Sequence, residues 1–192
     1  MKRLMLSLLP LALAASLLAA EPAKQSQEAP AQPKLAIGDA APEFKIKDAQ
    51  GQMVDLAALT AKGPVLLRLT CGCSGCDKEL AYFQKIHDSY KDQGLTTLLV
   101  FKEPDTKMVK YAADKKLNML YAIDPAGESW DVFRTKTMPT NFLIAKGGKI
   151  ASIAAGCDPS GLLANAVSEK AAKVVGVAAV NVKKQVETKD QK

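Results

Sequence analysis

The chain is poor in the residues that most often advertise a function. Its 192 residues include one histidine, one tryptophan, four tyrosines and five phenylalanines. The only imidazole is that of His87, on the cysteine-bearing helix well past the cysteines. His87 also falls in a segment of apolar helical spacing, where a histidine is a packed or half-exposed core residue rather than a ligand or base. Charge of one sign is scarce too: 26 Lys+Arg against 20 Asp+Glu give a net +6. Lys2 and Arg3 supply two of those charges, and the last ten residues, with four lysines against Glu187 and Asp190, supply two more. The remainder has little basic excess and few rings for stacking, which gives nucleic acid no support as a partner. No segment repeats. At 48% hydrophobic and 24% charged residues the bulk is an ordinary globular domain, not disordered, collagenous or coiled-coil. Four cysteines are too few for a disulfide-dense miniprotein, yet Cys71, Cys73 and Cys76 fall within six residues. That clustering is the feature to explain.

The first 20 residues carry the pattern of a secretory signal peptide: Lys2 and Arg3, then Leu4 to Ala20, apolar except for Ser7, Pro10 and Ser16. Cleavage after Ala20 or after Ala14 leaves small residues at the cut. The other reading is an uncleaved N-terminal anchor, short for a bilayer span and interrupted by Pro10. Either way the expectation is a periplasmic or otherwise exported protein, at the membrane only if the segment is retained, working where disulfides persist. Residues 21–34, rich in Pro, Gln, Ala and Lys, read as a flexible linker. The folded domain is expected over residues 35–175, followed by a polar basic tail over 176–192.

Within that domain, Phe44 to Lys47 alternates, Gln50-Gly51-Gln52 signals a turn and Met53 to Leu56 follows, which predicts a hairpin. Asp55 is placed to cap a short helix through Leu59. Pro64 to Thr70 has the length and apolar character of a buried central strand. Ser74 to Tyr90 then reads as a helix whose stripe is Leu80, Phe83, Ile86 and Tyr90, ended by Gly94. Thr96 to Phe101 predicts a second buried strand, Asp105 to Leu117 a helix, Met119 to Ile123 a strand and Glu128 to Phe133 a short helix. Thr140 to Ala145 and Lys149 to Ala155 flank Lys146-Gly147-Gly148 as a hairpin, and Asp158-Pro159-Ser160 opens a helix running to about Val175. This order gives an α/β fold: a mixed central sheet flanked by helices, with an N-terminal β-hairpin extension. The cysteines then sit at the carboxyl edge of a central strand, where open α/β sheets place their sites.

Cys73 and Cys76 form a Cys-x-x-Cys on the first helical turn. At the helix start, unpaired backbone N–H groups and the positive end of the dipole favour a thiolate, which makes Cys73 the expected low-pKa nucleophile. Cys76, on the same face and turned inward, is the expected resolving thiol. Such a pair attacks a disulfide, forms a mixed disulfide and releases product by internal exchange.

A strand, Cys-x-x-Cys, an amphipathic helix, a second strand and then Met138-Pro139-Thr140 before a hairpin resemble the thioredoxin superfamily. The chain is most similar to its exported TlpA/ResA-like branch, within the redoxin group that includes peroxiredoxins. Ile37-Gly38-Asp39-Ala40-Ala41-Pro42-Glu43-Phe44 resembles that group's opening segment, and Met138 to Ile144 its cis-proline segment. The resemblance covers about Leu35 to Val175. It implies a thiol–disulfide oxidoreductase that needs no cofactor. Its implied partners are cysteine-containing exported proteins and an upstream thiol–disulfide electron donor. It also implies that Pro139 is cis and borders the site, with the Met138 backbone free to pair with an extended substrate. Glu79 matches an acid that ResA-like proteins carry near the active site, and reads equally as a solvated first-turn acid favouring the helix dipole. The motif departs from the family at Gly72, where a Trp is usual, and at Gly75, where a Pro is common.

Cys71 and Cys157 are extra. They are expected either to form a second disulfide, since Cys157 follows a strand returning to the same sheet edge, or to extend a relay. Two other functions compete. Convergence of Cys71, Cys73, Cys76 and Cys157 would make a zinc or Cu(I) site. Thr70, three residues before Cys73, matches the peroxiredoxin Thr-x-x-Cys and suggests a thiol peroxidase. Against that, Leu66 stands where those enzymes have a proline, and Pro139 where they tend to have an arginine. A purely structural staple is disfavoured, because bridging residues 73 and 76 closes a tiny loop.

Overall fold

A computed structural model describes residues 33–188. The expected signal segment, nearly all of the linker and the last four residues lie outside the described residues.

The first elements are β1 (Lys45–Lys47) and β2 (Met53–Asp55), an antiparallel pair in which Ile46 faces Val54. Asp55 ends the hairpin and caps α1 (Leu56–Lys62), its carboxylate accepting from the N–H groups of Ala57 and Ala58. The main sheet has β3 (Val65–Thr70), β4 (Thr96–Phe101), β5 (Leu120–Ile123), β6 (Thr140–Ile144) and β7 (Ile150–Ala155), in the order β5-β4-β3-β6-β7. Strands β3, β4 and β5 run parallel, while β6 and β7 are antiparallel additions. This is the mixed α/β sheet the sequence pattern implies.

Strand β3 is buried along its whole length, so its alternation sends residues into two cores. Val65, Leu67 and Leu69 join Phe44, Leu56, Trp130, Phe133 and Phe142 on one face. Leu66 joins Phe83, Ile86, Tyr90, Ala164 and Val167 on the other, beneath α2 (Ser74–Tyr90) and α5 (Leu162–Val175). Trp130 comes from α4 (Glu128–Val132). The expected stripe of α2 is the buried one, and Gly94 closes the chain after it with φ of 91°. Helix α3 (Asp105–Asp114) stops earlier than periodicity suggests, where Lys116 takes a left-handed φ of 49°.

The C-terminal expectation needs correction. Residues beyond 175 are not simply a polar tail: α6 (Val182–Glu187) packs on the domain, capped by Asn181, with Val182 fully buried. The Tyr90 hydroxyl accepts from the Val180 N–H at 2.9 Å, and the Ser168 hydroxyl donates to the Val180 carbonyl at 2.8 Å. Tyr90 lies far upstream in the chain, which is why local composition does not reveal the helix.

Candidate active site

The site forms where β3 ends and α2 begins. Parallel pairing of β3 with β4 carries the chain out at the strand's carboxyl end, and the Lys102 N–H donates to the Thr70 carbonyl at 3.0 Å. Cys71 and Gly72 then cross to the helix. The Gly72 N–H donates to Glu103 Oε1 at 3.2 Å, and Glu103 is held by Lys107 at 2.9 Å. The loop is thereby tied to the β4–α3 connection.

Cys73 is the N-cap of α2 and is exposed, whereas Cys76, three residues on, is buried. The Cys71 thiol donates to Cys73 Sγ at 2.8 Å and lies 3.4 Å from Cys76 Sγ. All three sulfurs are within 4.8 Å of one another. The Cys73 thiol is lowered from the ordinary 9.0 to about 7, first by the hydrogen bond from Cys71 and then by the Cys76 N–H. The Cys76 thiol and the Gly75 N–H add to these, with burial opposing. The Cys71 thiol moves the other way, to about 12, because burial disfavours its anion and its proton is engaged by Cys73. One exposed sulfur is thus primed as a thiolate while its neighbour holds its proton.

Cys157 stands apart. It is exposed and falls outside the three-sulfur group; its Sγ lies 3.0 Å from where a Cβ on Gly75 would be. Burial and the nearby Glu79 charge raise its pKa. All four cysteines are free thiols, so neither extra cysteine is bridged to the other. The four-thiolate convergence weighed from sequence becomes a convergence of three.

Glu79 is not a solvated acid. It is completely buried and pairs with Arg68 at 2.7 Å, a residue itself 2% exposed. The Arg68 guanidinium also donates to Asn141 Oδ1 at 2.8 Å and lies 3.9 Å from the centre of the Phe83 ring. The second Glu79 oxygen accepts from the Asp158 N–H at 3.0 Å, fixing the segment that carries Cys157. Arg68 escaped the reading of the sequence. Its signal was a lone charge in an otherwise apolar strand, which burial permits only with a paired, hydrogen-bonded counter-charge.

The Met138–Pro139 bond is cis, Pro139 is buried and Met138 half-buried. Strand β6 pairs Thr140 with Leu69, so Met138 and Pro139 directly precede the strand that flanks the end of β3. Among the described residues nothing hydrogen-bonds to the N–H or carbonyl of Met138. His87 lies farther along α2, half-buried, with burial lowering its pKa and Nδ1 unpartnered. It is no part of the sulfur group.

Residues 37–153 match the model of the AhpC/TSA family. The chain belongs to that family. The thiol–disulfide oxidoreductase ResA of Bacillus thuringiensis subsp. konkukian is 31% identical to this AhpC/TSA protein over 118 residues, 61% of this chain and 68% of that one. A ResA of Geobacillus kaustophilus is 30% identical over 123 residues, 64% of this chain and 71% of its own. Among solved structures, a putative thiol:disulfide interchange protein DsbE from Chlorobium tepidum superposes with a TM-score of 0.68 at 26% identity, covering 74% of this chain and all of that one. Peroxidoxin BcpB from Mycobacterium tuberculosis, at 20% identity and a TM-score of 0.61 over 74% of this chain and 98% of its own, shares the fold. The peroxidase reading finds no uncommitted arginine: of the two among the described residues, Arg68 is paired with Glu79 and Asn141, and Arg134 donates to the Pro33 carbonyl.

Proposed function

We propose that this thiol–disulfide oxidoreductase exchanges disulfides with exported proteins through Cys73 and Cys76. The observation that carries the reading is the pairing of an exposed, low-pKa Cys73 at the N-terminus of α2 with a buried Cys76 within 4.8 Å. The Cys73 thiolate attacks one sulfur of a substrate disulfide, forming a mixed disulfide and expelling the other sulfur as a thiolate. Cys76, deprotonated, attacks Cys73 Sγ, closing the Cys73–Cys76 disulfide and releasing the second substrate thiol. Two electrons pass to the substrate, and an upstream dithiol restores the pair. Run backwards, the same steps oxidise a substrate dithiol. The unpaired Met138 backbone is the proposed seat for an extended substrate strand, in the manner of β-augmentation.

Work outside the cytoplasm is part of the proposal, resting on the signal-like residues 1–20. No helix among the described residues is long and apolar enough to cross a membrane. N-terminal sequencing of protein from the periplasmic and membrane fractions tests export: a start at residue 15 or 21 supports cleavage, and an intact start at Met1 in the membrane supports the anchor. Insulin reduction tests the chemistry. Cys73→Ser should abolish it, and Cys76→Ser should accumulate mixed disulfides. Full activity in Cys73→Ser refutes the assignment.

A further inference from the structure

A Cys-x-x-Cys pair offers two sulfurs, and this chain brings a third against both. We propose that the reduced cluster is also a binding site for one Cu(I) ion, held by the thiolates of Cys71, Cys73 and Cys76.

The distances favour a three-coordinate ion. Sulfurs bound to a metal at about 2.3 Å in a trigonal plane lie roughly 4 Å apart. Here the contacts are 2.8 Å and 3.4 Å with the whole group inside 4.8 Å, so small rotations about the Cys71 and Cys73 side chains open the triangle. Cys76, fixed by α2 and buried, is the stationary corner.

The donor set selects the metal. Zinc in a structural site takes four ligands. Among the described residues no carboxylate, imidazole or fourth thiol joins the group. Acids flanking the group are engaged: Glu103 with Gly72 and Lys107, Glu79 with Arg68 and Asp158, and Asp77 with Tyr111 and Lys115. Three soft thiolates without a hard donor suit Cu(I). The surroundings agree with a soft ion carrying a net negative complex. The Met108 Sδ and the Lys107 Cε each come within 3.7 Å of the position a Cβ on Gly72 would take, with the Lys107-paired Glu103 at 3.8 Å, and the N-terminal end of α2 faces the sulfurs. Loading displaces protons from the thiols and leaves no free nucleophile, so Cu(I) and disulfide exchange exclude one another.

The test uses the full chain, reduced and kept anaerobic, titrated with Cu(I) against a chromophoric Cu(I) chelator, with X-ray absorption on the loaded protein. The expected result is one Cu(I) per chain with three sulfur scatterers at about 2.3 Å. Cys71→Ser should weaken binding by at least about a hundredfold, since loss of even an outer-shell partner costs roughly 10–100-fold. Cys157→Ser should bind as tightly as the parent. Two scatterers, undiminished affinity in Cys71→Ser, or a preference for Zn(II) through four thiolates including Cys157 each overturns the proposal. Insulin reduction by the same metal-free preparation is read separately, so a failure of metal binding and a failure of disulfide exchange are told apart.

Discussion

Cys71→Ala should move the reactivity of Cys73 in opposite directions at low and high pH. The hydrogen bond from Cys71 is the largest cause holding the Cys73 thiol near 7. A hydrogen bond to a charged group contributes about 1.5–3 kcal/mol, and one pH unit corresponds to about 1.4 kcal/mol. A thiol is a weak donor and Cys73 is exposed, so the lower end applies and the titration rises by about one unit. At about pH 7 the thiolate fraction then falls from about one half to about one tenth. The more basic thiolate is intrinsically about threefold more nucleophilic, given a Brønsted slope near 0.4–0.5. The net outcome is alkylation slower by about twofold near pH 7 and faster by about threefold above pH 9, with a crossing between. Cys71→Ser, which keeps a donor in place, should follow the parent profile. The assay is iodoacetamide alkylation across pH, with Cys73 labelling localised by mass spectrometry. An unchanged inflection in Cys71→Ala, or no gain at high pH, would refute the idea that Cys71 activates Cys73.

Glu79→Gln leaves Arg68 buried without a counter-charge and should cost about 3–5 kcal/mol in urea unfolding, while Arg68→Met combined with Glu79→Leu should recover most of it. A loss below about 1 kcal/mol in the single variant would show that the pair does not hold α2 to β3. Gly75→Ala adds a Cβ 3.0 Å from Cys157 Sγ, offsetting a helix-propensity gain of up to about 1 kcal/mol. In a Cys157→Ala background that gain should appear in full, and strict additivity of the two substitutions would count against the contact. A chain ending at residue 176 loses the burial of Val182 and both hydrogen bonds to Val180, and should unfold about 3 kcal/mol more easily. An unchanged midpoint would return residues beyond 176 to the status of a tail.

Much of this architecture is carried by short-range signals. The apolar run from Pro64, the stripe of Leu80, Phe83, Ile86 and Tyr90, and the cap at Asp55 each specify an element with their own neighbours. Cys73 and Cys76 were legible for the same reason: the helix start that polarises one and buries the other lies in the same few residues. What escaped depends on partners distant in sequence. Arg68 reads as an intruder in a strand until Glu79 and Asn141 are seen beside it. Helix α6 reads as a basic tail until Tyr90 and Ser168 are seen bonding Val180, just ahead of it. Cys71 was visible as a third cysteine, but its contact with both members of the pair follows from the turn between β3 and α2, not from spacing.

The two glycines that depart from the family's motif are connected to the two extra cysteines through space. A side chain at residue 75 would crowd Cys157 Sγ, so Gly75 makes room for a thiol brought in by the turn after β7. That turn is itself fixed by the buried Glu79 through the Asp158 N–H. Gly72 separates Cys71 from Cys73, and its N–H is anchored by Glu103 while the two flanking sulfurs meet at 2.8 Å. The physical consequence is a change in what surrounds Cys73. It is activated by a neighbouring thiol as well as by backbone N–H groups, which makes its reactivity depend on whether Cys71 keeps its proton. Any oxidant that takes the Cys71 proton removes the largest support of the Cys73 thiolate, and disulfide exchange then slows at neutral pH even where Cys73 and Cys76 themselves are untouched.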